Sequence, residues 1–392
     1  YQQSVEREAK KLIFKLVEPG EWYLVRWGGT RKGSGTFYTK PQLAIPTVMR
    51  TLRPLVYSET PDKQWIPKKP EEIIAVKVCD PACGSGSFLL ASLRYLTEAL
   101  YTSIIVHHRL DDCTGKSIDQ LIWPDLKADE SISKELLPCK PEDENFECRF
   151  KTILRRYIVE RCIYGVDLDP LGVELCRLSL WIETLDRELP MTFLDHKIKC
   201  GNSLVGTWFD QFMHYPLMAW TREGGDKGHK NGVHFQDSVW TNAIKGKLAT
   251  VKSQLVSMIE GGDLFKQSMD FSSVMTEYQQ AVQALNIIHN LNINDVGQRA
   301  EEYRKFRESP DFLRLKDAFD LWCSLWFWPG ESIDLAPMPE QFALEKLSAE
   351  AKAELHKIAA NNRFFHWELE FPDVFTPQKY GFDAILGNPP WD

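Results

Sequence analysis

No two of the nine cysteines form a CxxC pair; they stand at Cys79, Cys83, Cys113, Cys139, Cys148, Cys162, Cys176, Cys200 and Cys323. That spacing offers no zinc knuckle, and an odd number of thiols fits a reduced, cytoplasmic protein better than a disulfide scaffold. No stretch approaches the roughly 18 uninterrupted apolar residues of a membrane helix, and mean hydropathy is −0.32. The opening residues, YQQSVEREAK, carry acids and no apolar centre, so they do not form a secretory signal. They also lack an initiator Met, and the chain is expected to begin inside a longer protein. Positive charge is not in excess: 47 Lys and Arg against 55 Asp and Glu leave −8. A surface that binds nucleic acid throughout is usually basic. Any such contact is expected to be local, or to lie on residues outside this sequence.

What is present suffices for one large domain or two ordinary ones: 392 residues, 43% of them hydrophobic. Residues 1–65 read as helix, loop, helix. Ser4 to Leu16 carries an apolar stripe, Gly28 to Gly35 (GGTRKGSG) is a basic glycine turn, and Pro41 to Tyr57 is amphipathic. Pro61 to Pro70 reads as a Pro/Lys linker. Residues 66–206 alternate strand and helix: strand Ile73 to Cys79, helix Phe88 to Tyr101, strand Ile163 to Val166, helix Pro170 to Leu185, strand Ile198 to Leu204. That alternation predicts an α/β fold with a parallel sheet covered on both faces. Asp111 to Glu147 is polar and acidic and reads as a surface insertion, partly disordered. Residues 207–365 lose the alternation and take up a 3.6-residue period, which predicts a large helical insertion. Its Trp322, Trp326 and Trp328 read as packing core. Residues 366–392 return to a strand, Phe382 to Leu386, and end in GNPPWD.

Four short segments carry chemistry. In VCDPACGSGSFLL, Val78 to Leu90, a strand ends in Asp80, and Gly84 and Gly86 precede a helix. Glycine lets a ligand approach the backbone and takes positive φ without strain; a helix N-terminus adds free N–H donors. The turn is not GxGxxG and no Lys-Ser/Thr follows it, so a pyrophosphate is not the expected ligand. In YGVDLDP, Tyr164 to Pro170, Asp167 ends the next strand, where a doubly wound sheet offers a carboxylate to a ribose. Asp169, before Pro170, competes for that role but reads as a helix cap. In CGNSL, Cys200 to Leu204, Asn202 is either a partner for an adenine amine or an ordinary Asn turn. In GNPPWD, Gly387 to Asp392, two prolines fix the backbone. The Asn388 side-chain oxygen and the Pro389 carbonyl can then hold one NH2 group and aim its lone pair, and Trp391 offers a flat face to a planar base.

In this order the four motifs resemble the Rossmann-like class I S-adenosylmethionine-dependent methyltransferases, and among them the amino-methyltransferases of DNA. Upstream, SGTFYTKPQLAIPTVMRTLRPLV, Ser34 to Val56, resembles the segment before the glycine motif in gamma-ordered adenine enzymes. There a Tyr-Thr-Pro turn closes over the methionine end of the cofactor; here Tyr38 and Thr39 match and Lys40 intervenes before Pro41. With the long insertion, the set is similar to the large adenine methyltransferases of type IIG restriction-modification and of BREX- and DISARM-like phage defence. The resemblance spans residues 34–100, 155–206 and 366–392. It implies S-adenosyl-L-methionine lying across the carboxyl ends of the strands. Tyr38, Thr39, Ala82, Gly84, Gly86, Ser87 and Phe88 would surround the methionine end, and Asp80 would take its ammonium, directly or through water. Asp167 and Leu168 would meet the ribose, and Asn202 the adenine. It further implies a target adenine flipped out of double-stranded DNA, stacked on Trp391 and held by Asn388, Pro389 and Pro390. Methyl transfer is then direct, with no metal, and Cys79 and Cys83 are not nucleophiles. Other subunits of a restriction or phage-defence system are implied as further partners, and no membrane.

An NPP turn serves any planar NH2 group. Adenine in RNA and a protein glutamine amide stay open as substrates, as does a cofactor-binding scaffold without activity. The Tyr-Thr turn and the size of the chain favour DNA, and the intact NPPW argues against the scaffold. No PD-(D/E)xK-like cluster marks a nuclease. The target sequence cannot be read. The sheet is expected to lack its later strands, and a recognition element is expected to follow the NPP motif. Arg26, Arg31 and Lys32 are the best local phosphate contacts.

Overall fold

The computed structural model describes residues 39–389, apart from 112, 127–134, 186–192, 212–213, 222–237, 261–275, 377–378 and scattered positions within 277–294. The expected helix in 4–16 and the glycine turn at 28–35, with its basic residues, lie outside the described residues. Lys40 is extended, and Pro41 opens helix α1, Pro41–Val56, at a position where its missing N–H is no loss. Ala44, Val48, Leu52 and Val56 form the buried stripe of α1. The Pro/Lys stretch that follows is not a plain linker. It forms an antiparallel hairpin, β1 Tyr57–Glu59 with β2 Trp65–Pro67, closed by Thr60 and Gln64.

The run Ile73 to Cys79 is not one strand either. Pro70–Ile74 is a helical turn, begun by Pro70 and capped by the Glu72 carboxylate on the Lys69 N–H. Only Val78–Asp80 is strand β3. Helix α2, Ser87–Val106, has the length and composition to cross a bilayer, yet it is the central core helix. It buries Leu89, Leu93, Leu96, Leu100 and Ile104. The polar stretch Asp111 to Glu147 is not a surface insertion throughout. A helical turn, Ile118–Ile122, sends Ile118, Leu121 and Ile122 into the main core, and Phe146 starts α3, Phe146–Cys162. Average polarity hid those anchors.

Strand β4 is Ile163–Asp167, helix α4 is Pro170–Glu183 and strand β5 is Ile198–Cys200. The sequence placed the end of β5 at Leu204. It ends sooner: the Gly201 N–H to the Asp167 carbonyl is the last rung of the β4–β5 ladder, and Asn202 pairs instead with Phe364 in an isolated parallel bridge. Strand β6, Ala384–Ile385, completes a four-stranded, all-parallel sheet in the order β5-β4-β3-β6. The expected α/β class with a parallel sheet is therefore present.

Between β5 and β6 the long described elements are helices: α5 Ser238–Glu260, α6 Val296–Glu308, α7 Pro310–Ser324 and α8 Ala349–Asn362. One helical pattern in the sequence is two helices here, because the Ser309 hydroxyl caps α7 and Pro310 cannot continue α6. Trp328 is fully buried, and Trp322 and Trp326 pack on the same cluster. After α8 the chain returns across the sheet. Phe365, Phe371, Val374 and Phe375 pack on Cys79, Tyr164 and Val166. Buried ion pairs fasten this return and its helices to the sheet and to α3: Lys197 to Asp373, Lys199 and Arg307 to Glu370, and Arg299 to Glu160 of α3.

Candidate active site

Parallel pairing brings the four motifs to one edge. Asp80 lies opposite Gly165, Asp167 opposite Cys200, and Val78 and Cys79 opposite Ala384 and Ile385. Asn202, Asp167, Asp80 and Asn388 thus follow one another along the carboxyl ends of β5, β4, β3 and β6. The strand order reverses at β3, with β4 and β5 on one side and β6 on the other. Such a switch is where open α/β sheets form a ligand crevice.

At the glycine turn, Gly84 and Gly86 take φ of 49° and 87°, which side chains with a Cβ rarely adopt. The Gly84 N–H donates to Asp167 Oδ2 at 2.7 Å, and the Asp169 N–H donates to Asp167 Oδ1 at 2.8 Å. Two backbone donors therefore aim one carboxylate, and each of its oxygens keeps a second lone pair. Gly86 is buried, and a Cβ there would sit 2.8 Å from Cys176 Sγ. Packing against α4 demands glycine at 86 as firmly as φ does. Phe88 is buried in the main core, Ala82 and Ser87 are half-buried, and Ala82 donates its N–H to Asp80 Oδ1 at 3.0 Å. Asp169 accepts the Leu171 N–H at 3.1 Å and caps α4, the role its sequence suggested.

Asn202 forms the Asn turn: its Oδ1 accepts the Leu204 N–H at 3.1 Å. Leu168 and Leu204 are large apolar side chains left 53% and 91% exposed beside Asp167 and Asn202. On the other side of the switch, the Leu386 N–H bonds to the Cys79 carbonyl at 2.8 Å. Gly387 passes so near Asp80 that a Cβ would lie 2.7 Å from Asp80 Oδ1. Asn388 Nδ2 donates to Thr39 Oγ1 at 3.4 Å, which ties the segment leading into α1 to the loop after β6. Pro389 is exposed. Tyr38, Pro390 and Trp391 lie outside the described residues. A cleft of about 300 Å³ runs from Thr39 and Ser87 between α1 and α2, lined by Ala44, Ile45, Ala91 and Arg94.

Burial pushes the Asp80 carboxyl up to about 7; the Ala82 N–H opposes this and the Asp167 charge adds to it. Contact with the Cys176 thiol and burial hold the Cys83 thiol well above its usual range, and burial does the same for Cys79. Neither is an activated thiolate.

Sequence reasoning missed the partners on the return segment. The Arg363 carbonyl accepts the Asn202 N–H at 2.7 Å, and Phe365 bonds to the Val205 carbonyl at 2.9 Å. A Cβ on Gly201 would lie 2.5 Å from the Phe365 ring, and one on Gly206 would lie 2.0 Å from the Phe365 carbonyl oxygen. The two glycines that bracket the Asn turn were the available signal.

Comparison with known proteins supplies a family. The model of the Eco57I restriction-modification methylases matches residues 161–392. A putative type II restriction enzyme and methyltransferase of Methanocaldococcus jannaschii is 21% identical over 97% of this chain and 29% of its own. A type II restriction enzyme and methyltransferase of Escherichia coli is 27% identical over 34% of this chain and 12% of its own. The chain thus spans less than a third of the length of the curated relatives it matches. No solved structure matches it.

Proposed function

The chain belongs to the Eco57I restriction-modification methylase family, and from that premise we propose that it methylates the exocyclic amine of adenine in double-stranded DNA with S-adenosyl-L-methionine. One observation carries the proposal: the acids, the glycine turn and Asn388 share one carboxyl edge, and the strand order reverses between them. The residues fit the cofactor. Gly84 leaves its turn free of a Cβ, the Asp167 carboxylate is aimed with lone pairs to spare for two hydroxyls, and Leu168 and Leu204 offer apolar faces to a base. The cofactor's sulfonium supplies an activated methyl. We assign the fold to the Rossmann-like class I kind, with the helical stretch between β5 and β6 as a large insertion.

Asn388 does the orienting. Its Nδ2 donates to Thr39, which turns the amide so that Oδ1 is the atom to accept an amine hydrogen. The Pro389 carbonyl accepts the second, and the lone pair of the amine is then directed outward for displacement. The target base leaves the duplex and stacks on Trp391, because its amine cannot be reached while stacked. Most of the rate comes from this positioning. From the resemblance of Ser34 to Val56, with Tyr38 and Thr39, to the segment before the glycine motif in those enzymes, we place the enzyme in the gamma-ordered group, serving a restriction or phage-defence system.

The test is transfer of labelled methyl from S-adenosylmethionine to unmethylated duplex DNA, to RNA and to protein, with the wild type and Asn388→Ala. The expected result is N6-methyladenine in the duplex, lost in the variant. Cofactor affinity should stay within about threefold, since Asn388 contributes to amine orientation rather than to cofactor binding. Unchanged turnover by Asn388→Ala sinks the assignment.

A further inference from the structure

Arg363 ends α8 with φ of 50°, in the left-handed region that few non-glycine residues occupy. From there it reaches two loops. Its carbonyl accepts the Asn202 N–H at 2.7 Å. Its guanidinium donates from Nη1 to the Leu168 carbonyl and lies 3.9 Å from Cys200 Sγ. The Leu168 carbonyl belongs to the same peptide unit as the Asp169 N–H, and that N–H aims Asp167 Oδ1. One peptide is thus gripped on both sides: Arg363 holds its oxygen, and its N–H holds the carboxylate.

Arg363 lines a polar cleft of about 640 Å³. Lys199 and Arg307 in that cleft face Glu370, Lys316 faces Asp320, and His356 faces Asp317. Those charges are matched within the cleft, so it is not a built anion site. Arg363 spends its charge instead on a main-chain oxygen of the β4 loop.

We propose that Arg363 is a positioning residue for the adenosine half of the cofactor. It fixes the peptide that aims Asp167 and holds the Asn202 turn across from it. The helical stretch between β5 and β6 thereby sets cofactor affinity without supplying a ligand atom. This rests on the cofactor reading given above.

The test uses the full chain and calorimetric titration with S-adenosylhomocysteine and with 5′-methylthioadenosine, which keeps only the adenosine end. Arg363→Gly removes the guanidinium while keeping the left-handed backbone at ease. It should weaken both probes about tenfold, the worth of a charge-assisted hydrogen bond. Turnover at saturating cofactor should stay within about threefold, so KM moves and kcat does not. Arg363→Lys, which keeps a cationic donor, should recover most of the affinity, whereas Arg363→Met, of similar length with no donor, should not. Wild-type affinity in Arg363→Gly, or a fall in kcat with unchanged affinity, overturns the proposal. Should Arg363→Gly fail to fold, equal affinities of the Lys and Met variants overturn it. If the wild type itself binds neither probe, the cofactor reading fails first, and the variants are not what decided it.

Discussion

Asp80 shows how much one side chain can be asked to do. It ends β3, braces the glycine turn through Ala82 and fills the space that a Cβ on Gly387 would need. Gly387→Ala should therefore push the Asn388 loop off the sheet edge. We expect turnover to fall tenfold or more, on the order of the loss that an ångström of misplacement causes, with cofactor affinity little changed. Equal turnover in a methyl-transfer assay would show that the loop tolerates the shift. Titration gives a second prediction. Burial and Asp167 hold the Asp80 carboxyl up at about 7, above the ordinary 3.8. Its contribution to stability is thus fully present below the unfolded value and is lost as pH rises through about 7. Cofactor binding runs the other way if Asp80 takes the ammonium, because that role needs the anion. Affinity for S-adenosylhomocysteine should rise about tenfold from pH 6 to pH 8 and then level off. In Asp80→Asn it should be low and flat. A wild-type profile without that rise removes Asp80 from ammonium recognition.

At the scale of elements, the ends of β3 and β4 were legible, while the end of β5 and the supports of the sheet were not. Asp80 and Asp167 could be read because a strand that ends in a polar residue before a turn has a local pattern. The hairpin β1–β2 and the helix α3 were missed for opposite reasons. Three-residue strands have too few alternations to show, and the stripe of Phe146, Phe150, Ile153 and Tyr157 begins inside the polar stretch and runs past its end. The return segment after α8 was illegible, because its partners lie some 160 residues earlier in the chain, as Asn202 does from Phe364. Gly201 and Gly206 hinted that another segment comes close, the Phe365 ring at the first and its backbone at the second. A Cβ on Gly206 would collide with the Phe365 carbonyl oxygen at 2.0 Å, and with the carbonyl carbon at 2.8 Å. Backbone cannot rotate away as a side chain can. Gly206→Ala should therefore destabilise the fold by about 2 kcal/mol, in the range of overpacked sites. A denaturant titration with an unshifted midpoint would mean that the segment is not held there.

Across the whole molecule, the helical stretch and the sheet are joined through buried charge as well as apolar packing. Glu370 accepts both Lys199 of β5 and Arg307 of α6, and Glu160 accepts Arg299. Burial alone would raise these carboxyls. The neighbouring cations outweigh it and hold both below the usual carboxylate range. A depressed pKa gives stability that is present above the unfolded value of 4.5 and is lost as pH falls below it. Acid should thus part the helices from the sheet before it reaches residues buried only by apolar contacts. Glu370→Gln keeps the shape and removes the charge, which leaves Lys199 and Arg307 facing a neutral amide. Breaking such a buried pair costs about 3 kcal/mol. At pH 7 the variant should melt well below the wild type, and as pH falls from about 5 to about 3 its melting temperature should fall less steeply, since one acid-sensitive group is gone. Parallel curves for the two proteins would mean that Glu370 is not what acid attacks. Because the Asn202 turn hangs from Arg363 at the far end of the same return segment, loss of cofactor affinity should accompany that melting rather than precede it.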